Sequence, residues 1–297
     1  MRCAPRCRRP DRRRRRPAEP ERMSTARRLS LPRRVGQRQG ARRDVLRPQR
    51  AGTIRVCDVH VGAAVAAAGG GVVLGPLLAA LTVTVPDADA TWRGTWWRGV
   101  WWRGALAGRP AGARRRIVVT LLAVIALGAV GAGRGFAPDL PVYCWLAASA
   151  VVLAVIDVDC HRLPNRVTFP LYVAGVIGFG LLALSYHDGG AFVRAILAAA
   201  VAFAIFFVLA FSGGVGFGDT KLAGALALYL GPFGWAAVLL AGLIGFGCGG
   251  LFAVALLIGR RAGWRSDFAF GPALLIGALV VVVAAHGLPG SGAGIAG

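Results

Sequence analysis

The chain has 297 residues, of which 56% are apolar, 35 are Lys or Arg and only 13 are Asp or Glu, for a formal net charge of +22. So apolar a composition excludes an ordinary soluble domain and puts the chain in the membrane class. The charge argues against a nucleic-acid binder once it is located, because twenty of the basic residues lie in the first 55 positions.

Residues 1–58 form an Arg- and Pro-rich stretch with little to bury, expected to be disordered. It reads as an unstructured tail, or as upstream sequence translated from an early start codon with Met23 or a later start as the true beginning. An arm for nucleic acid or anionic lipid is the alternative. No early apolar core precedes a small-residue cleavage site, so a secretory signal peptide is not expected. The six cysteines, Cys3, Cys7, Cys57, Cys144, Cys160 and Cys248, are scattered and suggest neither a disulfide framework nor a zinc site. Cys144 and Cys248 read as small packing residues in apolar stretches.

From residue 59 to about 290 the chain reads as one transmembrane domain, followed by a short tail over 291–297. Apolar runs of about twenty residues cross a bilayer as helices. Such runs lie near 61–84, 117–135, 141–158, 167–186, 191–211, 220–233, 235–258 and 270–287. The fold class is therefore all-α, a polytopic membrane protein of about eight transmembrane helices, the sixth of them short. Residues 86–116 form a basic Trp/Arg loop carrying Arg93, Arg98, Arg103, Arg109, Arg114, Arg115 and Arg116. Its "TWRGTWWRGVWWRG" repeat could serve as a base-stacking platform, but Trp rings and Arg heads suit a membrane surface better. Later basic connections carry Arg162 and Arg166, then Lys221, then Arg260, Arg261 and Arg265, all alternating onto one side of the membrane. Positive charge marks the cytoplasmic side, so these loops are expected to face the cytoplasm.

Carboxylates are scarce after residue 58: Asp87, Asp89, Asp139, Asp157, Asp159, Asp188, Asp219 and Asp267, with no Glu. An acid at membrane depth costs about 2.5–3.5 kcal/mol even on lenient scales, which makes each one a functional hypothesis. Asp157 stands at the end of the third span in "AVIDVDCHRLPNRVTFP", and Asp219 opens the sixth in "SGGVGFGDTK". Their depths coincide. Two acids sharing a site hold one proton between them and can activate water, one as base and the other polarising a carbonyl. Asp159 reads instead as a loop charge, solvated or paired with Arg162, and His161 as an ordinary loop histidine. Lys221 reads as a snorkelling or loop-pairing cation. Asp87, Asp89, Asp139, Asp188 and Asp267 read as loop or surface charges.

The segment Asp157-x5-Leu163-Pro164-Asn165, the segment "GFGDTKL" with Gly216, Gly218, Asp219, Lys221 and Leu222, and "FAFGPALLIGAL" over 268–279 together resemble the type IV prepilin peptidases, membrane aspartic proteases of the GxGD class. The resemblance covers roughly residues 60–287. It implies that Asp157 and Asp219 are the catalytic pair. Gly216, Gly218, Lys221, Pro164 and Asn165 would shape the loops that meet substrate, with the glycines letting the loop approach its backbone. It further implies a basic cytoplasmic leader of a prepilin or pseudopilin precursor as substrate, a bacterial plasma-membrane location and membrane lipid as the surroundings. The long form of that family binds zinc through paired CxxC motifs in its first loop and methylates the new N-terminus. Residues 86–116 contain no cysteine, so no metal, no S-adenosylmethionine and no other cofactor are expected. Two other readings are an ion-coupled transporter built on intramembrane acids, and a catalytically inert homologue.

Overall fold

The computed structural model describes residues 47–89, 111–161, 163–213, 215–258 and 270–285. Of the unit Met1–Pro48 only Arg47 and Pro48 are among them; the other unit runs from Gln49 onward. The tail, the WRG repeat, Arg162, Arg260, Arg261, Arg265 and Asp267 lie outside the described residues.

Among the described residues the secondary structure is helical: α1 (Arg47–Asp89), α2 (Ala113–Arg134), α3 (Leu140–Cys160), α4 (Asn165–Tyr186), α5 (Gly189–Phe211), α6 (Phe217–Leu230), a 3₁₀ turn at Gly231–Phe233, α7 (Trp235–Ile258) and α8 (Gly271–Ala284). Helices are what apolar chain forms when no water is present to take its backbone polar groups. The protein is thus an all-α polytopic membrane protein. Six of the eight helices contain stretches long and apolar enough to cross a membrane. The two exceptions, α6 and α8, have 14 residues each. At 1.5 Å per residue such a helix covers about 21 Å, short of a hydrocarbon core of about 30 Å. The sixth apolar run is therefore as short as expected, and the described part of the eighth ends where the described residues do.

Two boundaries differ from the sequence reading. The first helix begins at Arg47, well upstream of the apolar run, and continues to Asp89. Arg114, Arg115 and Arg116 belong to the first turn of α2 rather than to a loop. Cations are unfavourable at a helix N-terminus, and Arg115 offsets this through partners: it donates to the Thr82 hydroxyl at 2.8 Å and pairs with Asp159 at 2.6 Å. α1 and α2 meet backbone to backbone, since a Cβ on Gly131 would lie 2.5 Å from the Ala63 carbonyl oxygen.

α6 is the central helix, with Leu222 through Leu230 all buried among its neighbours. At its C-terminal end Tyr143, Phe179, Tyr229 and Phe233 form an aromatic cluster. The hydroxyl of Tyr143 donates to the Tyr229 carbonyl at 3.0 Å, and that of Tyr229 to the Leu171 carbonyl at 2.9 Å. Arg134 lies over the rings of Tyr143 and Phe233 and forms an ion pair with Asp139. Asp139 is therefore a structural partner rather than a solvated loop charge. Asp188 likewise caps α5, accepting from the amides of Gly190 and Ala191.

The side chains of Arg134 and Asp139 are only 14% and 18% exposed. Removing one partner leaves the other charge buried and uncompensated, which costs about 3 kcal/mol. Arg134→Ala should therefore lower stability by about that amount in denaturant titrations of the detergent-solubilised protein, and Arg134→Lys by less. Equal stability of all three proteins would contradict the pairing.

Candidate active site

Four helix ends meet around Asp157. The carboxylate sits on the last turn of α3 and is 4% exposed. That turn closes on His161, whose amide donates to the Asp157 carbonyl at 2.8 Å and whose φ of 51° places it in the left-handed region. A buried carboxylate needs hydrogen bonds. One comes from the first residue of α8: the Gly271 amide donates to Asp157 Oδ2 at 3.1 Å. The helix N-terminus adds its positive end to that contact. Only glycine fits there, because a Cβ on Gly271 would stand 2.6 Å from the same oxygen. The Phe-Gly-Pro segment thus has a local reason: Phe270 caps the helix, Gly271 yields to the carboxylate, and Pro272 occupies a first-turn position where no amide donor is needed.

Asp219 lies in the first turn of α6, outside the six spanning helices. It is partly buried, and the backbone of Gly216 hydrogen-bonds to it. Burial, and then the like charge of Asp157, push its carboxyl up to about 6 against that hydrogen bond. The two acids, distant in sequence, are therefore within electrostatic reach of one another. Leu222, one turn on from Asp219, also borders the space beside Gly271, so α3, α6 and α8 converge on one point.

The remaining motif residues join the two loops that carry these acids. Pro164 caps α4, and its carbonyl accepts from the Val167 and Thr168 amides and the Thr168 hydroxyl. Lys221 Nζ donates to Asn165 Oδ1 at 2.9 Å, while its own carbonyl accepts from the Tyr172 hydroxyl at 2.8 Å. Lys221 is therefore a loop-pairing cation. Gly218 faces Leu163, which a Cβ would approach to 3.2 Å, and Gly216 faces the Asp219 carboxylate at 3.4 Å. At Gly218 the two motifs pack closely, while Gly216 is exposed and has only its own motif beside it. Asp159 pairs with Arg115 of α2; Arg162 lies outside the described residues. Cys160 and Cys248 are exposed and Cys144 is half-buried, so of the two cysteines read as packing residues only Cys144 packs.

Comparison with protein families matches residues 144–284 to the type IV leader peptidase family. That stretch is similar to the type IV leader peptidases. No curated protein and no solved structure matches the chain. The matched residues include the four helix ends of the site, so the two acids, their amide donor and the Lys221–Asn165 contact all belong to the peptidase stretch. α1 and α2 precede it and reach the site through Arg115 and Asp159.

Two outcomes follow from these contacts. Removing a like charge favours ionisation, so in Asp157→Asn the Asp219 carboxyl should titrate lower than in the parent protein, measured as the pH dependence of carbodiimide modification. An unchanged midpoint would mean that the acids do not interact. Asn165→Leu removes the acceptor of Lys221 and should cost about 1 kcal/mol, with faster amide exchange in the first turn of α6. Asn165→Asp should preserve the contact, and exchange as fast as in Asn165→Leu would show that the contact is not what orders that turn.

Proposed function

We propose that the chain is a membrane-embedded aspartic endopeptidase that removes the leader of type IV prepilin-like precursors, with Asp157 and Asp219 as its catalytic pair. The observation that carries this reading is the meeting of two carboxylates from separate helices at one end of a leader-peptidase bundle. One water molecule fits the chemistry of such a pair. The ionised carboxylate takes a proton from the water as its oxygen attacks the scissile carbonyl carbon. The protonated carboxylate donates a hydrogen bond to the carbonyl oxygen, where negative charge develops. Collapse of the tetrahedral intermediate breaks the C–N bond and returns the proton to the leaving amine, so no cofactor is required. The pair must hold one proton between its members, and mutual repulsion of the charges favours that state.

The substrates would be prepilin or pseudopilin precursors, proteins whose short basic leader precedes an apolar helix. The side carrying Arg166 and Lys221, together with the acids, would be the cytoplasmic face of a bacterial plasma membrane, in line with the distribution of positive charge. Pilus assembly or protein secretion would be the setting.

Asp157→Asn and Asp219→Asn should each lower leader removal by at least about a thousandfold while the protein still inserts, read as the mobility shift of a co-expressed precursor. Gly271→Ala, which crowds Asp157 without removing it, should lower kcat by about tenfold with less effect on KM. Cleavage by Asp219→Asn at the parent rate would overturn the assignment of the pair.

A further inference from the structure

A cleft opens between α5 and α7. α5 packs against α6, and α7 against α8, whereas among the described residues α5 and α7 have little contact beyond the Phe206 and Phe246 rings. The cleft has a volume of about 370 Å³, counting its open mouth. Its floor includes Ala223 and Ala227 of α6 and Ala278 of α8; its walls include Ala202 of α5 and Ala241 and Gly242 of α7.

Three features connect the cleft to the acids. Asp219, Ala223, Leu226 and Leu230 follow one another at helical spacing, so they share one face of α6, with the carboxylate at the end of the stripe. At the same end the rings of Phe206, Phe246 and Phe270 form a row with centroid separations of 5.7 and 4.9 Å. Phe270 directly precedes the glycine that holds Asp157, and the hydroxyl of Thr220, the neighbour of Asp219, donates to the Phe206 carbonyl at 3.2 Å. A chain lying in the cleft is therefore led to both carboxylates.

The residue types separate a helix from a lipid tail as occupant. Five alanines and Gly242 line the cleft, set among Phe206, Leu226, Leu230, Val238 and Leu274. Small residues on floor and walls let another helix backbone approach closely, as in membrane helix pairs, whereas fluid hydrocarbon needs no such recess. We propose that this cleft seats the apolar membrane-spanning helix of the precursor, with the bond to be cut lying beyond the Phe206–Phe246–Phe270 row at the two acids. This rests on the peptidase reading above and adds the route by which substrate reaches the acids, sideways from the bilayer between α5 and α7.

The test uses the full chain in liposomes and a synthetic precursor, a short basic leader joined to an apolar helix of about twenty residues. A photoreactive side chain is placed at Val238, on the cleft lining, or at Leu184, which is 75% exposed on α4, in the Asp219→Asn background. The precursor should cross-link at Val238 and not at Leu184, and unlabelled precursor should compete. Lipid adducts alone at Val238, or equal precursor adducts at both positions, would overturn the docking site. Gly242→Leu provides a second measurement, because a Cβ there meets open space and the larger side chain fills the cleft without a clash. It should lower kcat/KM at least tenfold more for the helix-bearing precursor than for a leader peptide ending just past the bond. An equal effect on both would also overturn the proposal. A precursor that cross-links at Val238 yet is never cut by the parent protein would support the docking site and sink the peptidase reading.

Discussion

The hydrogen bond from the Gly271 amide to Asp157 is the contact around which the bundle is arranged. A carboxylate 4% exposed among apolar helices is tenable only if its oxygens find donors. Few side-chain donors are available in so apolar a chain, and the donor here is a backbone amide. Backbone amides without intrahelical partners occur at helix N-termini, so a helix must begin beside Asp157. That requirement places the start of α8, calls for glycine at its first position, and brings Phe270 to the edge of the α5–α7 cleft.

The second acid is held by a different device. Asp219 rides on the first turn of α6, and the loop before it is fastened to the loop after α3 through Leu163 against Gly218 and Asn165 with Lys221. Tyr172 extends the same seam one turn deeper by donating to the Lys221 carbonyl. The two motifs are therefore halves of a single structural unit. Leu163 and Asn165 follow Asp157 at a distance set by one helix C-cap, one turn and one proline N-cap. Gly218 and Lys221 flank Asp219 on the same helical turn. Shifting either motif by one residue would leave the glycine opposite the wrong partner.

Much of this was legible in the residue pattern. Apolar runs of about twenty residues admit one membrane-spanning solution, so the ends of α2 through α5 fell close to where composition placed them. The seam between the two motif loops was legible only as a spacing; its contacts are long-range and leave no local mark. Asp159 shows the difficulty. Sequence proximity points to Arg162, which lies outside the described residues, while the pairing the structure describes is with Arg115, brought in by packing of α2 on α3. Gly218 is a further case: the motif shows a glycine beside Asp219, but not that Leu163 packs against it. By contrast, the Arg134–Asp139 pair was open to discovery, since opposite charges five positions apart flank a tight turn in an otherwise uncharged loop.

α6 and α8 both begin at the acids. A helix start carries unsatisfied amides, and at membrane depth these are as costly as the carboxylates they face. Setting the two kinds of group against each other removes both costs at once. Asp157 takes the first amide of α8, and Asp219 sits in the first turn of α6, where the helix dipole favours negative charge. A full-length helix would carry its amide ends out to water and leave the acids with nothing to bind. Starting α6 and α8 beside the acids is therefore a condition for holding two carboxylates inside an apolar bundle.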